Sequence, residues 1–135
     1  MRTTHALATA LAGMLLGGAG CTSEPCPKDD QLLERFNANR AGFERLAQNP
    51  GDQDLRRSLG IRSVQTPPGG IHFGAWSQDF IGVGGVIKGY AHYEEPPTGD
   101  LVDDIDANSA PGSPEEKVLY RQIEGPWYLY YASSN

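Results

Sequence analysis

One amphipathic stretch, QLLERFNANRAGFERLAQ, constrains the fold of this chain more than any other feature. Leu32, Phe36, Phe43, Leu46 and Ala47 recur at helical intervals, with Arg35, Arg40, Glu44 and Arg45 beside that stripe. Asp29 or Asp30 is placed to cap the free amides of a first turn, and Asn49, Pro50 and Gly51 stop the helix. A second, shorter helix is expected from Asp52 to Leu59, ended by Gly60. A helix with one apolar face gains its stability by burying that face, so the rest of the chain must supply the surface.

That surface reads as a sheet. Ile61 to Gln65 alternates as an edge strand, and TPPGG at 66–70 is a break. IHFGAWS and FIGVGGVIKGYAHY form the arms of a hairpin turning near Gln78 and Asp79. Segment 94–116 is acidic and interrupted by four prolines, a long loop with at most a short ordered piece at Leu101 to Ile105. VLYRQI and WYLYY then make a last hairpin through a tight Glu124-Gly125 turn. Leu119, Arg121 and Ile123 share one face of it, as do Trp127, Leu129 and Tyr131; the aromatics Tyr120, Trp127, Tyr128, Tyr130 and Tyr131 read first as core and sheet-face residues, with Tyr128 and Tyr130 as a stripe open to a partner or a bilayer interface as the alternative. The expected fold is α+β, an N-terminal helix packed on an antiparallel sheet of about four strands.

Ahead of the helix the chain has a different character. Ala6 to Gly20 is uncharged, small and apolar, but at fifteen residues it is shorter than the roughly 20 that a permanent membrane helix needs. With Arg2 as its charged end it reads as an export signal. The expected organisation is a signal peptide at 1–20, a tether at 21–29 and one small domain at 30–135. The processed chain carries 17 acidic against 10 basic residues, a net charge of −7. With no basic patch, nucleic acid is not an expected partner.

Several stretches imitate functional motifs. GVGGVIKGY, residues 82–90, is glycine-rich, but a dinucleotide fingerprint needs G-x-G-x-x-G opening a helix, and the sixth position here is Ile87. Val86, Ile87, Tyr90 and Tyr93 favour a strand, whose glycines accommodate a bend or a close neighbour; Lys88 is the one residue of the run with chemistry to offer a ligand. With a turn at 78–79, His72 and His92 would lie about 23 Å apart at about 3.3 Å per residue, too far for one metal ion, and each reads as a surface or edge residue. Asp104, Asp106, Asn108 and Glu115 fall at calcium-loop positions 1, 3, 5 and 12, yet position 6 is Ser109 in place of glycine, so a solvated acidic loop is the plainer expectation. No serine sits in a nucleophile elbow and Cys26 has no histidine near it in sequence, so no catalytic residue, cofactor or metal ligand is assigned.

GAGC at 18–21 resembles the lipobox of bacterial lipoproteins, in which the cysteine is acylated and becomes the new N-terminus. This chain departs from the pattern by carrying Gly18 three places before Cys21, with the nearest leucine at Leu16. The alternative is ordinary cleavage near Gly20, leaving Cys21 free to pair with Cys26. Beyond the signal, "IKGYAHYEEPP", "LVDDID" and "VLYRQIEGPWYLYY" resemble a group of small, uncharacterised proteobacterial lipoproteins. The resemblance covers most of residues 30–131; the run from Gly82 to Ile87 is more hydrophobic than the group's pattern. It implies lipid attachment at Cys21 and residence in the cell envelope, with Thr22 after the cysteine implying sorting to the outer membrane, facing the periplasm. It implies no catalytic residues. The expected role is a lipid-anchored, non-enzymatic module that binds an unidentified envelope protein or envelope component. The alternatives are an exported calcium-binding module or a small periplasmic hydrolase.

Overall fold

The amphipathic stretch folds as two helices, α1 (Asp29–Ala38) and α2 (Arg40–Gln48), broken at Asn39. Asn39 leaves helical geometry at φ −131°, ψ 29°, and its side-chain amide donates to the Arg35 carbonyl at 2.9 Å. Asparagine competes in this way for backbone hydrogen bonds, so it ends helices more readily than it continues them. The stripe survives the break, with Leu32, Phe36, Phe43 and Leu46 all fully buried. Neither Asp29 nor Asp30 caps α1. Lys28 is the N-cap residue, its backbone N–H donating to Gln31 Oε1 at 2.8 Å, and Asp29 turns inward. Helix α3 (Gln53–Ser58) starts as expected, with Asp52 Oδ1 accepting from the Leu55 N–H at 3.0 Å.

The structure, a computed structural model, describes residues 25–80, 84–109 and 116–134. Its strands are β1 (Ser63–Gln65), β2 (Gly70–Phe80), β3 (Gly84–Tyr93), β4 (Asp100–Leu101), β5 (Lys117–Glu124) and β6 (Trp127–Ser134). They form one sheet in the order β1-β2-β3-β6-β5-β4. The α+β class is met, but the expected sheet of about four antiparallel strands is corrected to six, and mixed, because β4 pairs with β5 in parallel. Two residues of the acidic segment supply β4, and a short helix α4 (Ile105–Asn108) follows, its N-cap Asp104 accepting from the Ala107 N–H.

The register also differs from expectation. Asp79 pairs with Gly85 and the Phe80 backbone with that of Gly84, so the β2–β3 turn lies at 81–83, outside the described residues, and not at Gln78 and Asp79. The β5–β6 hairpin turns through Gly125 and Pro126, one residue later than expected, with Glu124 opposite Trp127 and Gly125 at φ 53°. GVGGVIKGY is a strand from Gly84 onward, with no helix at Val86. Gly89 is demanded by space: β2 bulges between Gly74 and Trp76, and a Cβ at position 89 would collide with the Phe73 carbonyl oxygen.

One face of the sheet packs on the helices. Phe36 and Phe43 meet at 5.2 Å between ring centroids, Phe43 meets Tyr90 at 4.6 Å and Phe36 meets Trp127 at 5.3 Å. Two hydrogen bonds fix the layers: Tyr90 donates to the Leu32 carbonyl at 2.7 Å, and Trp127 Nε1 donates to Glu44 Oε1 at 3.0 Å. The other face has its own cluster of Ala91, Tyr93, Tyr120, Tyr128 and Tyr130. Tyr128 and Tyr130 are therefore buried as core and sheet-face residues, and the alternative of an open aromatic stripe is corrected.

Candidate functional site

Three polar or charged residues are buried among the described residues: Asp29, His72 and Lys88. They define two sites, one on each face of the sheet.

The helix-side site is built on Lys88. Strand alternation sends its side chain to the same face as Val86 and Tyr90, under the helices, where an unpaired ammonium would be very costly. Its three donors are matched by three oxygens: Asp29 Oδ1 at 2.8 Å, Asp106 Oδ1 at 2.8 Å and the Pro27 carbonyl at 2.9 Å. Asp29 is answered in turn on its second oxygen, by the Arg121 guanidinium at 3.0 Å and the Ile105 N–H at 2.9 Å. The Asp29 N–H donates to Asp106 Oδ2 at 2.9 Å and closes the network. Burial alone would lower the Lys88 pKa, but its hydrogen bonds to Asp106 and Asp29 outweigh burial and raise it, so the residue is a fixed cation. Burial likewise works to raise the Asp106 carboxyl, and is outweighed by the Lys88 hydrogen bond and the Asp29 N–H, which hold it below the ordinary value. The network fastens four segments, the chain at 27–29, the start of α4 and strands β3 and β5.

These contacts account for the calcium-like spacing. Asp29, Asp104 and Asp106 bring carboxylate oxygens within 4.8 Å of one another. The positive charge among them is the ammonium of Lys88, while Asp104 caps α4 and Asn108 Nδ2 donates back to the Asp104 carbonyl. Glu115 lies outside the described residues. Cys26 is exposed beside the network, and partial burial of its thiol, ahead of the opposing influences of Lys88 and Asp106, raises its pKa and disfavours the thiolate.

The second site lies on the opposite face. His72 Nε2 is 2.9 Å from the Tyr93 hydroxyl and 3.0 Å from that of Tyr120, the two hydroxyls are 3.1 Å apart, and the imidazole stacks on Tyr130 at 4.2 Å. Burial lowers the His72 pKa to about 4, so the ring is neutral near pH 7, and burial raises the pKa of Tyr120 and Tyr130. His72 is thus a buried, bonded residue, correcting its reading as a surface or edge one. The two histidines are not a metal pair, but the reason differs from the one the sequence suggests. His72 pairs with Ala91 and His92 with Ile71, so the histidines are near neighbours along the sheet that point to opposite faces. His92 packs edge-on against Trp127 at 4.9 Å.

On this second face, towards the Gly84 end of β3, an open groove of about 910 Å³ is lined by Gln65, Asp79, Ile87, Lys117, Val118 and Ala132, among others. Val118 and Leu101, whose backbone pairs with Tyr120 next along β5, are the exposed large hydrophobic side chains among the described residues. The lipidation residue expected from sequence, Cys21, lies outside the described residues. The sequence singled out Lys88 without its partners and missed Asp29 and Arg121. A lysine at an inward position of a strand was the one available signal of a buried counter-charge.

Comparison of the chain with protein-family models matched no family, and comparisons with curated proteins and with solved structures returned no significant match.

Proposed function

We propose that this protein is a lipid-anchored cell-envelope module, attached through Cys21, whose folded domain binds an envelope protein and performs no chemistry itself. The observation that carries this reading is how the buried polar groups are used. Lys88 and Asp29 neutralise one another within a network that includes Asp106 and Arg121, and His72 is bonded to tyrosines. General acid, base or nucleophilic catalysis needs a group that is poised to change its state against a substrate. Here those groups hold segments of the chain together, and an open groove that includes exposed Val118 faces outward. The lipobox-like GAGC and the likeness to small lipoproteins support the anchor. The described fold begins at Pro25, four residues after Cys21, which suits a domain held close to its lipid.

Two measurements test the reading. Intact-mass analysis and fractionation of the protein from its own cells should show an acylated N-terminus and recovery with membranes, both lost in Cys21→Ser; a variant still in membranes, beside a wild type without acyl mass, overturns the anchor. A photo-cross-linking residue placed in living cells at position 118 should capture one protein, and the same residue at exposed Glu34 should not. Equal products at both positions, or none at 118, overturn the binding role.

A further inference from the structure

We propose that the Lys88 network is a tether clamp, which holds the end of the domain formed by Pro25–Lys28 and Ile105–Asn108 against the phospholipid headgroup layer. The inference rests on acylation of Cys21. Its own basis is geometric: Lys88 Nζ donates to the Pro27 carbonyl at 2.9 Å, Lys28 is the N-cap of α1, and Asp29, its first residue, is bonded to Asp106 and Arg121. The chain is therefore fixed in the fold from residue 27 onward. A fully extended chain covers about 3.5 Å per residue, so Pro25 lies within about 14 Å of the Cys21 backbone and the clamped Pro27 carbonyl within about 21 Å. An acylated Cys21 sits at the interface, whose polar layer is itself about 5–7 Å deep on each side of the bilayer.

So short a leash leaves few orientations. Pro25, Cys26 and Lys28 are exposed around the point where the chain leaves the fold, and so are Asp106, Ala107 and Asn108 of α4, bonded to that point through Asp106. These residues become the membrane-proximal surface. The β5–β6 turn at Gly125 lies farther away, since β6 runs four residues from Tyr131, opposite Lys88, to Trp127 before the turn, about 13 Å of strand. The surface carries Asp30, Asp103, Asp104 and Asp106 against Lys28 and Lys117, whose ammonium donates to the Asn108 carbonyl at 3.4 Å, so its balance is acidic and proximity is enforced by the clamped chain and not by attraction to anionic lipid.

The test uses the full-length, processed and acylated protein reconstituted in vesicles of phosphatidylethanolamine and phosphatidylglycerol that contain a gadolinium-chelating headgroup lipid. Backbone amide signals of Cys26, Lys28, Asp29, Asp30 and residues 105–108 should be broadened several-fold more than those of Glu124, Gly125 and Trp127. Inserting a flexible ten-residue Gly/Ser segment between Ser23 and Glu24, which leaves every clamp contact in place, should flatten that gradient. A uniform or reversed gradient in protein shown by mass to be acylated overturns the clamp while leaving the lipid anchor intact. A gradient that survives the insertion also overturns it, since adhesion and not the leash would then set the orientation. Absence of the acyl mass overturns the anchor and the clamp together.

Discussion

At the scale of single residues the protein is held by a small number of buried charges whose cost is offset by opposite charges in direct contact. Removing one partner of a buried pair leaves the other unanswered, at about 3–5 kcal/mol. Lys88→Met, which leaves Asp29 at 2% side-chain exposure with Arg121 alone to balance it, should therefore lower stability towards the lower end of that range, about 3 kcal/mol, read as a shift of the urea midpoint at constant slope. Asp106→Asn should cost less, about 1 kcal/mol, because Asp106 is 35% exposed and water can replace part of its contact. His72 predicts a pH dependence of a known sign. Its folded pKa is about 4 against an ordinary 6.5, so between those values the unfolded chain binds a proton that the folded chain refuses. Stability should be complete above pH 6.5 and decline as the pH falls towards 4, by about 3 kcal/mol in all, and His72→Gln should flatten the curve across that window. Asp106 acts in a lower range: its depressed carboxyl contributes stability above the ordinary carboxylate pKa, lost as the pH falls below that value through the folded one. The two groups can thus be told apart by pH alone.

At the scale of elements, the glycine-rich strand is where sequence and packing meet. Gly89 faces the bulge of β2 so closely that a methyl group would strike the Phe73 carbonyl. Gly89→Ala should force the central β2–β3 pair apart, with amide exchange accelerating first in residues 72–76 and 87–91, whereas Gly51→Ala, which meets open space, should leave exchange unchanged. The helices depend on local signals in the ordinary way. Asp52→Ala removes the Leu55 cap and should cost about 1 kcal/mol. Much at this level was legible in the chain itself. The apolar stripe of α1 and α2, the Asp52 cap, the strand nature of 84–93 and the last hairpin all follow from spacings of two to four residues. The break at Asn39 did not follow from periodicity, because the apolar stripe continues across it, and the two-residue strand β4 did not because it depends on what lies across from it in the fold.

At the scale of the whole molecule, the order of the layers makes the chain just after the lipobox-like cysteine part of the domain. A truncation that starts at Pro25 should fold with wild-type stability, while one that starts at Gln31 removes Pro27 and Asp29 together and should leave Lys88 with Asp106 as its remaining partner, losing about 3 kcal/mol by thermal or urea unfolding. The sequence reading leaves Asp29 and everything before it in the tether, and only the fold shows that two of those residues close the core. The reason is the reach of each kind of information. Periodicity, caps and turn residues act over a few positions, so the chain by itself determined an α+β domain, its helical stripe, its strands and the unsuitability of GVGGVIKGY for phosphate binding. Contacts between distant residues depend on register, and register depends on a turn. Moving the β2–β3 turn from 78–79 to 81–83 exchanges the partner of every residue in both strands, bringing His72 and His92 to adjacent positions on opposite faces. The partners of Lys88 come from two separate segments of the chain, residues 27–29 and Asp106, and only the packing of those segments across one face of the sheet could bring their charges together.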